Sequence, residues 1–311
     1  MQPGLPSSPE LAQGHGDSIV LEHLGDDVST MTAAKLSETI GVEVQGLDAE
    51  RLVEDDELPH MLLDLLDRHG VLVFHDLFLD PETQVAFCRQ LGEVDMSPGH
   101  HRVPGIYWLT MDQSKNPNGD YLRATFAWHI DGCTPMGDEY PLKASVLTAV
   151  ALGEDGARTD FASSYAAYDD LTDDEKERFA SLRVLHTFEA SQWVAYPDPT
   201  REQIARWRTR PPREHPLVWC HQNGRRSLVL TPTTDYIVGM GYHEGRELLD
   251  DLVRRATTPD RVYRHDWRVG DTVIWDNRGV FHRALPYDVA SQREMLRTTL
   301  VGEEPISSEP V

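Results

Sequence analysis

Residues 266–305 read DWRVGDTVIWDNRGVFHRALPYDVASQREMLRTTLVGEEP, and the fold is decided there. Gly270-Asp271 is a turn, and the run Thr272-Val273-Ile274-Trp275 after it is β-branched or aromatic, which predicts a short buried strand. Asp276-Asn277-Arg278-Gly279 is turn chemistry, and His282 lies on the strand or loop that resumes after it. A second strand over residues 295–301 carries Arg293 at its mouth and Arg297 within it. One histidine and two arginines in a single strand-turn-strand unit concentrate metal-ligand and anion-binding chemistry.

Upstream, short apolar strands alternate with helices. Residues 40–44 alternate as a strand. Leucines at 58, 62, 65 and 66 have helical spacing, Gly70 ends that helix, and Val71-Leu72-Val73-Phe74 is a compact buried strand. Asp80-Pro81 starts a helix that runs to about Leu91, with a capping residue and a proline in the first turn. Residues 106–110, 144–152 and 159–163 read as strands, 169–182 as an acidic helix and 182–188 as strand again. Residues 201–208 form a short basic helix, and 244–256 an amphipathic one whose acids come early and arginines late, matching its dipole. Asn223-Gly224 is the strongest hairpin signal in the chain. Residues 111–127, rich in turn residues and then in aromatics, are either a binding lid or a surface excursion. The pairings are non-local, so a twisted antiparallel barrel or sandwich dressed with helices fits better than a doubly wound sheet. Residues 1–30, rich in Pro, Gly, Ser and acids, are expected to be a mobile leader, and 31–311 a single domain.

The chain has 311 residues and a formal net charge of −23. A surface of that sign repels nucleic acid and anionic membranes, so neither is expected as a partner. There is no apolar run of membrane-spanning length, and the polar start lacks the core of a secretion signal. Cys88, Cys133 and Cys220 form no Cys-x-x-Cys pair, which points to the cytoplasm rather than to disulfides or a thiolate zinc site. Of the 29 basic residues only Lys35, Lys115, Lys143 and Lys176 are lysines. Arginine forks carboxylates in a bidentate manner, so any anion must be drawn by a local arginine cluster against the global field.

His129 and Asp131 are two residues apart and, on a strand, would share one face. A third ligand from His282 would give two imidazoles and a carboxylate on one side of an ion, the set typical of non-haem iron(II) oxygenases. The pair alone is weak evidence. With 14 histidines and 52 acids, roughly two His-x-Asp/Glu triplets are expected by chance, and two occur, the other being His15-Gly16-Asp17. Taken singly, His129 and His282 could be hydrogen-bonded core histidines, and Arg293 and Arg297 surface charges. Their order along the chain is more telling: the pair, then strand-turn-histidine, then two arginines.

That order resembles the TauD/TfdA-like 2-oxoglutarate-dependent oxygenases, the taurine and 2,4-dichlorophenoxyacetate dioxygenase family. The resemblance runs from about Gly41 to Pro305 through GVEVQGLD (41–48), HGVLVFHDLFLDPE (69–82), WHID (128–131), HPLVWCHQNGRRSL (215–228), GDTVIWDNRGVFHRA (270–284) and REMLRTTLVGEEP (293–305). It implies a mainly β fold with α: a double-stranded β-helix (jelly-roll, cupin-like) core with flanking helices. It implies iron(II) on His129, Asp131 and His282, and O2 and 2-oxoglutarate as cosubstrates. The far carboxylate of 2-oxoglutarate would be gripped by Arg293 and by Thr159, which stands in Gly156-Ala157-Arg158-Thr159 where the family has Gly-Gly-Asp-Thr. The implied reaction oxidises a C–H bond of a small molecule, with release of succinate and carbon dioxide.

Arg297 matches a position that can bind the sulfonate or carboxylate of an acidic substrate, and equally could be a salt-bridge partner. Tyr121 and Phe126, with Trp128, lie in the segment that shapes the substrate pocket. Asp131 argues against halogenation, since halogenating relatives lack that carboxylate. His129-Ile130-Asp131-Gly132-Cys133-Thr134-Pro135 departs from the usual His-Thr-Asp-x-Thr-Phe, which argues against taurine. Relatives commonly self-associate, so a homo-oligomer is an expectation. A metal-binding jelly roll without oxygenase activity, a sensor or a divalent-metal hydrolase, is the alternative; only a cosubstrate with a distal carboxylate needs Arg293. An acidic interaction scaffold would need none of these ligands.

Overall fold

The structure, a computed structural model, describes residues 18–21, 31–97, 101–117, 119–132, 140–153, 157–287 and 292–309. Its centre is an eight-stranded mixed sheet. From edge to edge the strands run Ser18–Leu21, Met31–Lys35, Val42–Gln45, Val71–Phe74, Thr272–Asp276, Ala144–Ala151, Glu294–Leu300 and Tyr107–Leu109. Only Val42–Gln45 and Val71–Phe74 pair in parallel; the other neighbours are antiparallel. A three-stranded antiparallel sheet contains Val262–Asp266, Arg158–Ser163 and Val280–Ala284 in that order.

The period of two explains the layering. Val71, Val73, Val273, Trp275, Leu147 and Met295 join Phe161 and Val280 of the smaller sheet in one buried cluster, the filling of a sandwich. The alternate residues Leu72, Phe74, Ile274 and Val146 point the other way, into a cluster with Leu58, Leu62, Leu65 and Leu66 of helix Leu58–His69 and Phe87 and Leu91 of helix Pro81–Leu91. Strands buried on both faces read as continuous apolar runs, as these do. Each buried Leu or Phe side chain contributes about 1.5–3 kcal/mol of transfer free energy. The outer face of the smaller sheet, through Ala162 and Phe281, packs on a third cluster built from helices Ser164–Asp169, Asp173–Ala180 and Tyr242–Ala256 and the hairpin Val218–Cys220/Arg226–Leu228. The core is a jelly roll with flanking helices, as expected.

Local signals held where a cap or turn was explicit. Asp80 accepts from the backbone N–H of Glu82 and Thr83, and Gly70 ends its helix at φ 73°, a left-handed conformation that a Cβ disfavours. Four expectations need correction. Residues 169–182 are not one helix: Ser164–Asp169 stops, and a capping box at Thr172 starts Asp173–Ala180. The strand expected to reach Phe188 ends at His186, because Thr187 caps a new helix, Phe188–Ala195. Residues 111–127 hold a 3-10 helix, Gly119–Phe126. Ordered structure begins before Met31, since Ser18–Leu21 adds an edge strand to Met31–Lys35; its Ile19-Val20-Leu21 run has the β propensity to do so. The other residues of the expected leader lie outside the described ones. No helix among the described residues is long and apolar enough to cross a membrane.

Candidate active site

His129 enters the site at an isolated antiparallel bridge to His282, each backbone N–H donating to the other's carbonyl at 3.0 and 2.9 Å. Ile130 is buried beside Phe281, outside the small sheet. The alternation therefore sends His129 and Asp131 to the opposite side, toward the sandwich interior. Gly132, at φ 77°, then turns the chain, and a Cβ there would lie 2.7 Å from Leu142 Cγ. One ligand atom from each of His129, Asp131 and His282 lies within 4.8 Å of the others. Nε2 of each imidazole is 3.7 Å from a different oxygen of Asp131.

The three groups are held in forms suited to a cation. His129 Nδ1–H donates to the Ala127 carbonyl at 2.9 Å, which leaves the Nε2 lone pair facing Asp131. Burial, then the neighbouring His129, pushes His282 down to about 3. Burial also lowers His129, so both rings are neutral. Burial alone would raise the Asp131 carboxyl; Arg297, the imidazoles and Ser145 more than reverse this and hold it well below the ordinary carboxylate range. Ser145 Oγ donates to Asp131 Oδ2 at 3.0 Å, and Asn277 Nδ2 donates to Ser145 at 3.0 Å. Asn277 thus does more than make a turn; the DNR stretch supports the Asp131 carboxylate through a hydroxyl relay.

Beside this trio lies a cavity lined by His129, His282, Thr159, Arg293 and Arg297 among apolar residues including Leu109, Leu122, Leu147 and Trp275. Arg293 is 5% exposed. Its Nη1 donates to Tyr287 Oη at 3.3 Å and its guanidinium lies over the Tyr287 ring at 4.7 Å, while its buried Nε has no partner among the described residues. No ion pair to Arg293 is found among the described residues, so a buried cation faces the cavity without a carboxylate, a socket for one. Thr159 Oγ accepts from Trp267 Nε1 at 2.9 Å, so its own hydrogen is free to donate into the cavity. The donor set fits a divalent ion, and the pair Arg293/Thr159 fits a dicarboxylic keto acid.

Arg297 lines the same cavity and reaches Asp131 Oδ2 at 3.4 Å, with its guanidinium over the Tyr107 ring at 5.1 Å. Both arginines share a face as their spacing predicts. The bulge near the start of Glu294–Leu300 puts its extra residue on the partner strand, which leaves their alternation intact. The pocket-shaping segment is placed differently. Leu122 and Thr125 line the cavity; Phe126 packs edge-on against Tyr287 at 5.7 Å. Trp128 turns away and lies against Arg283 at 4.6 Å. The Tyr121 side chain, Cys133 and Gly156 lie outside the described residues. Sequence reasoning missed Ser145 and Trp267, which act through partners 14 and 108 residues away, and Tyr287, which lies six residues from Arg293 and lines the cavity itself.

The profile described as "Taurine catabolism dioxygenase TauD, TfdA family" matches residues 32–299. The chain belongs to this family. Among curated TauD/TfdA relatives, the alpha-ketoglutarate-dependent 2,4-dichlorophenoxyacetate dioxygenase of Burkholderia sp. (strain RASC) is 33% identical over 254 residues, 76% of this chain and 83% of the relative. The (S)-phenoxypropionate/alpha-ketoglutarate-dioxygenase of Sphingobium herbicidovorans is 31% identical over 244 residues, 76% and 83% of the two chains. A solved structure of AAD-2 in complex with Mn(II) and N-oxalylglycine superposes with a TM-score of 0.75 at 31% identity, covering 89% of this chain and all of that one. The TauD/TfdA chain described here is an iron(II)- and 2-oxoglutarate-dependent dioxygenase with a His-Asp-His metal site. The sensor or hydrolase alternative falls away.

Proposed function

We propose that His129, Asp131 and His282 hold the iron, that Arg293 and Thr159 receive the distal carboxylate of 2-oxoglutarate, and that Arg297 orients the anionic group of a small organic acid. The observation that carries this reading is the buried Arg293, without a carboxylate partner among the described residues, in one cavity with both imidazoles. When bound, iron and 2-oxoglutarate would supply the oxidising chemistry with dioxygen as the four-electron oxidant: one oxygen atom ends in succinate as carbon dioxide leaves, and the other accounts for oxidation of a substrate C–H bond. The chain's own residues do the rest. Asp131 remains ionised and the imidazoles neutral, so three donors are ready without a proton leaving. Thr159 offers a hydrogen and Arg293 a planar fork, which orient one end of the keto acid. Leu109, Leu122 and Leu147 keep water from the reacting centre and favour an apolar substrate body.

The relatives' names mention phenoxy acids, and a mixed apolar and cationic cavity suits that chemistry. Arg297 also contacts Asp131, so its part in substrate binding is separable from its electrostatic part only by experiment. The catalytic unit in this reading is residues 31–311, working in the cytoplasm. The test is anaerobic protein with iron(II) and 2-oxoglutarate, which should develop a weak visible charge-transfer band. Aryloxy and other small organic acids are then screened for stimulated succinate release. Folded, metal-loaded protein without the band would sink the assignment. Acids and their neutral amides giving equal stimulation would remove Arg297 from substrate recognition.

A further inference from the structure

The two candidate histidines are secured by different means. His129 has a hydrogen bond on its outer nitrogen. His282 has none: its Nδ1 is buried without a partner among the described residues. Metal-binding histidines almost always use the second nitrogen to fix the ring. The His282 ring rests instead between His129 at 4.1 Å and Trp275 at 4.8 Å, so its placement depends on the backbone that carries it. Beyond its ladder to Arg158–Ser163 and the bridge to His129, that backbone has side-chain contacts on the other face of the strand.

In the small sheet Arg283 lies directly opposite Asp160, and on the far side of Asp160 lies Arg264. Asp160 is fully buried. Arg264 donates to it through Nε at 2.7 Å and Nη2 at 3.1 Å, and Arg283 through Nε at 3.1 Å and Nη2 at 3.0 Å. Four N–H groups converge on one carboxylate, three on Oδ2 and one on Oδ1. The Arg283 guanidinium also lies over the Trp128 ring at 4.6 Å. Each of these residues is the chain neighbour of a site residue: Trp128 of His129, Arg283 of His282, Asp160 of Thr159. Because side chains alternate along a strand, the outer row and the inner row move together.

We propose that Trp128, Arg283 and Asp160 form an external brace that sets the relative positions of both imidazoles and the Thr159 hydroxyl, which makes Arg283 a positioning residue rather than a surface charge. The proposal rests on the metal set given under Proposed function. It differs from ordinary stabilisation in one respect: Arg283 and Arg264 grip the same carboxylate, but only Arg283 also holds the two histidine-bearing segments together.

Co(II) is the probe, titrated anaerobically into the metal-free full chain by calorimetry and visible absorption, with the urea midpoint of each variant measured alongside. The variants are Arg283→Gln, Arg283→Lys, Arg264→Gln and Trp128→Leu. Arg283→Gln is expected to bind Co(II) ten- to a hundredfold more weakly, the scale of lost outer support at metal sites, with an altered visible spectrum. Arg283→Lys, which keeps the charge but not the planar fork, should recover part of the loss, and Trp128→Leu should fall between. Arg264→Gln should lose stability but keep Co(II) affinity within about threefold of wild type, the distinction the brace demands. Unchanged affinity in Arg283→Gln overturns the brace, as does an equal loss in Arg264→Gln. Should Arg283→Gln not fold, the contrast between Arg283→Lys and Arg264→Gln decides: equal affinities reject the proposal. Wild-type chain that does not bind Co(II) rejects the metal reading, and the brace with it.

Discussion

The cavity has two unlike walls. One is made of laddered strands: Thr159, His282 and Arg297 project from Arg158–Ser163, Val280–Ala284 and Glu294–Leu300, each bonded to a neighbour, and Arg293 stands at the mouth of the last. The other is the 3-10 helix Gly119–Phe126, which supplies Leu122 and Thr125. Eight residues is long for a 3-10 helix, whose hydrogen bonds are poorly aligned. Thr159, His282 and Arg297 stand on the wall with the better backbone bonding, His129 and Asp131 follow the 3-10 helix and join that wall through the isolated bridge to His282, and Leu122 and Thr125 stand on the other. On the assignment proposed above, the difference teaches that reaction and specificity are separable: the strand wall fixes the positions of the reacting groups, while the capping wall need only be the right shape.

Several measurements can break or sharpen that contrast. The largest effect belongs to the strand wall. Arg293→Ala should weaken 2-oxoglutarate binding by about 3–5 kcal/mol, the cost of leaving a buried charge unpaired, read by anaerobic titration of the charge-transfer band; unchanged affinity would remove Arg293 from the site.

Acid should act next, and on the support of the capping wall. Helix Phe188–Ala195 follows strand Arg183–His186, and His186 is buried with its pKa pushed down to about 3, by burial and then by His215. Unfolded chain takes up this proton near pH 6.5, whereas folded chain resists until about 3. Stability is therefore full above 6.5 and falls as pH drops through that window, by on the order of 4 kcal/mol. Urea midpoints of wild type and His186→Gln between pH 7 and pH 3, with equal slopes in both, would show that His186 is not responsible.

Thr159→Val should reduce 2-oxoglutarate affinity by about 1.5–3 kcal/mol, the range for a hydrogen bond to a charged group, and Thr159→Ser should restore it. A valine as good as serine would leave Arg293 as the sole grip.

The smallest expected change is in the capping wall. Leu122→Ala should shift substrate KM several-fold, roughly 1 kcal/mol, with cosubstrate affinity unmoved. A matching loss of 2-oxoglutarate affinity would mean the two walls are not separable.

Legibility followed the same division. The strand wall was readable because its residues sit in short segments with strong local signals: the Thr272–Trp275 run before a DNRG turn, and two arginines four apart on one face. Helix Phe188–Ala195 and strand Val262–Asp266 went unread. Phe188–Ala195 follows a run with strand character, and the burial of Val262–Asp266 is uneven, with Arg264 and Asp266 exposed. Trp128 was read with the pocket because the family resemblance makes the segment before His129 pocket-shaping, yet the bridge between His129 and His282 turns it outward onto Arg283.

The amino-acid order alone determined the apolar runs, the caps and turns, and the candidate ligands with their spacing, since each depends on neighbours within a few residues. Which histidine has a hydrogen bond behind it, that Asn277 reaches Asp131 through Ser145, and that one buried carboxylate ties Arg264 to Arg283 were decided only in three dimensions. The Asn277–Ser145 contact and those of Asp160 with Arg264 and Arg283 join segments more than a hundred residues apart, and no local pattern encodes which distant partner a side chain will meet once the two sheets close on each other.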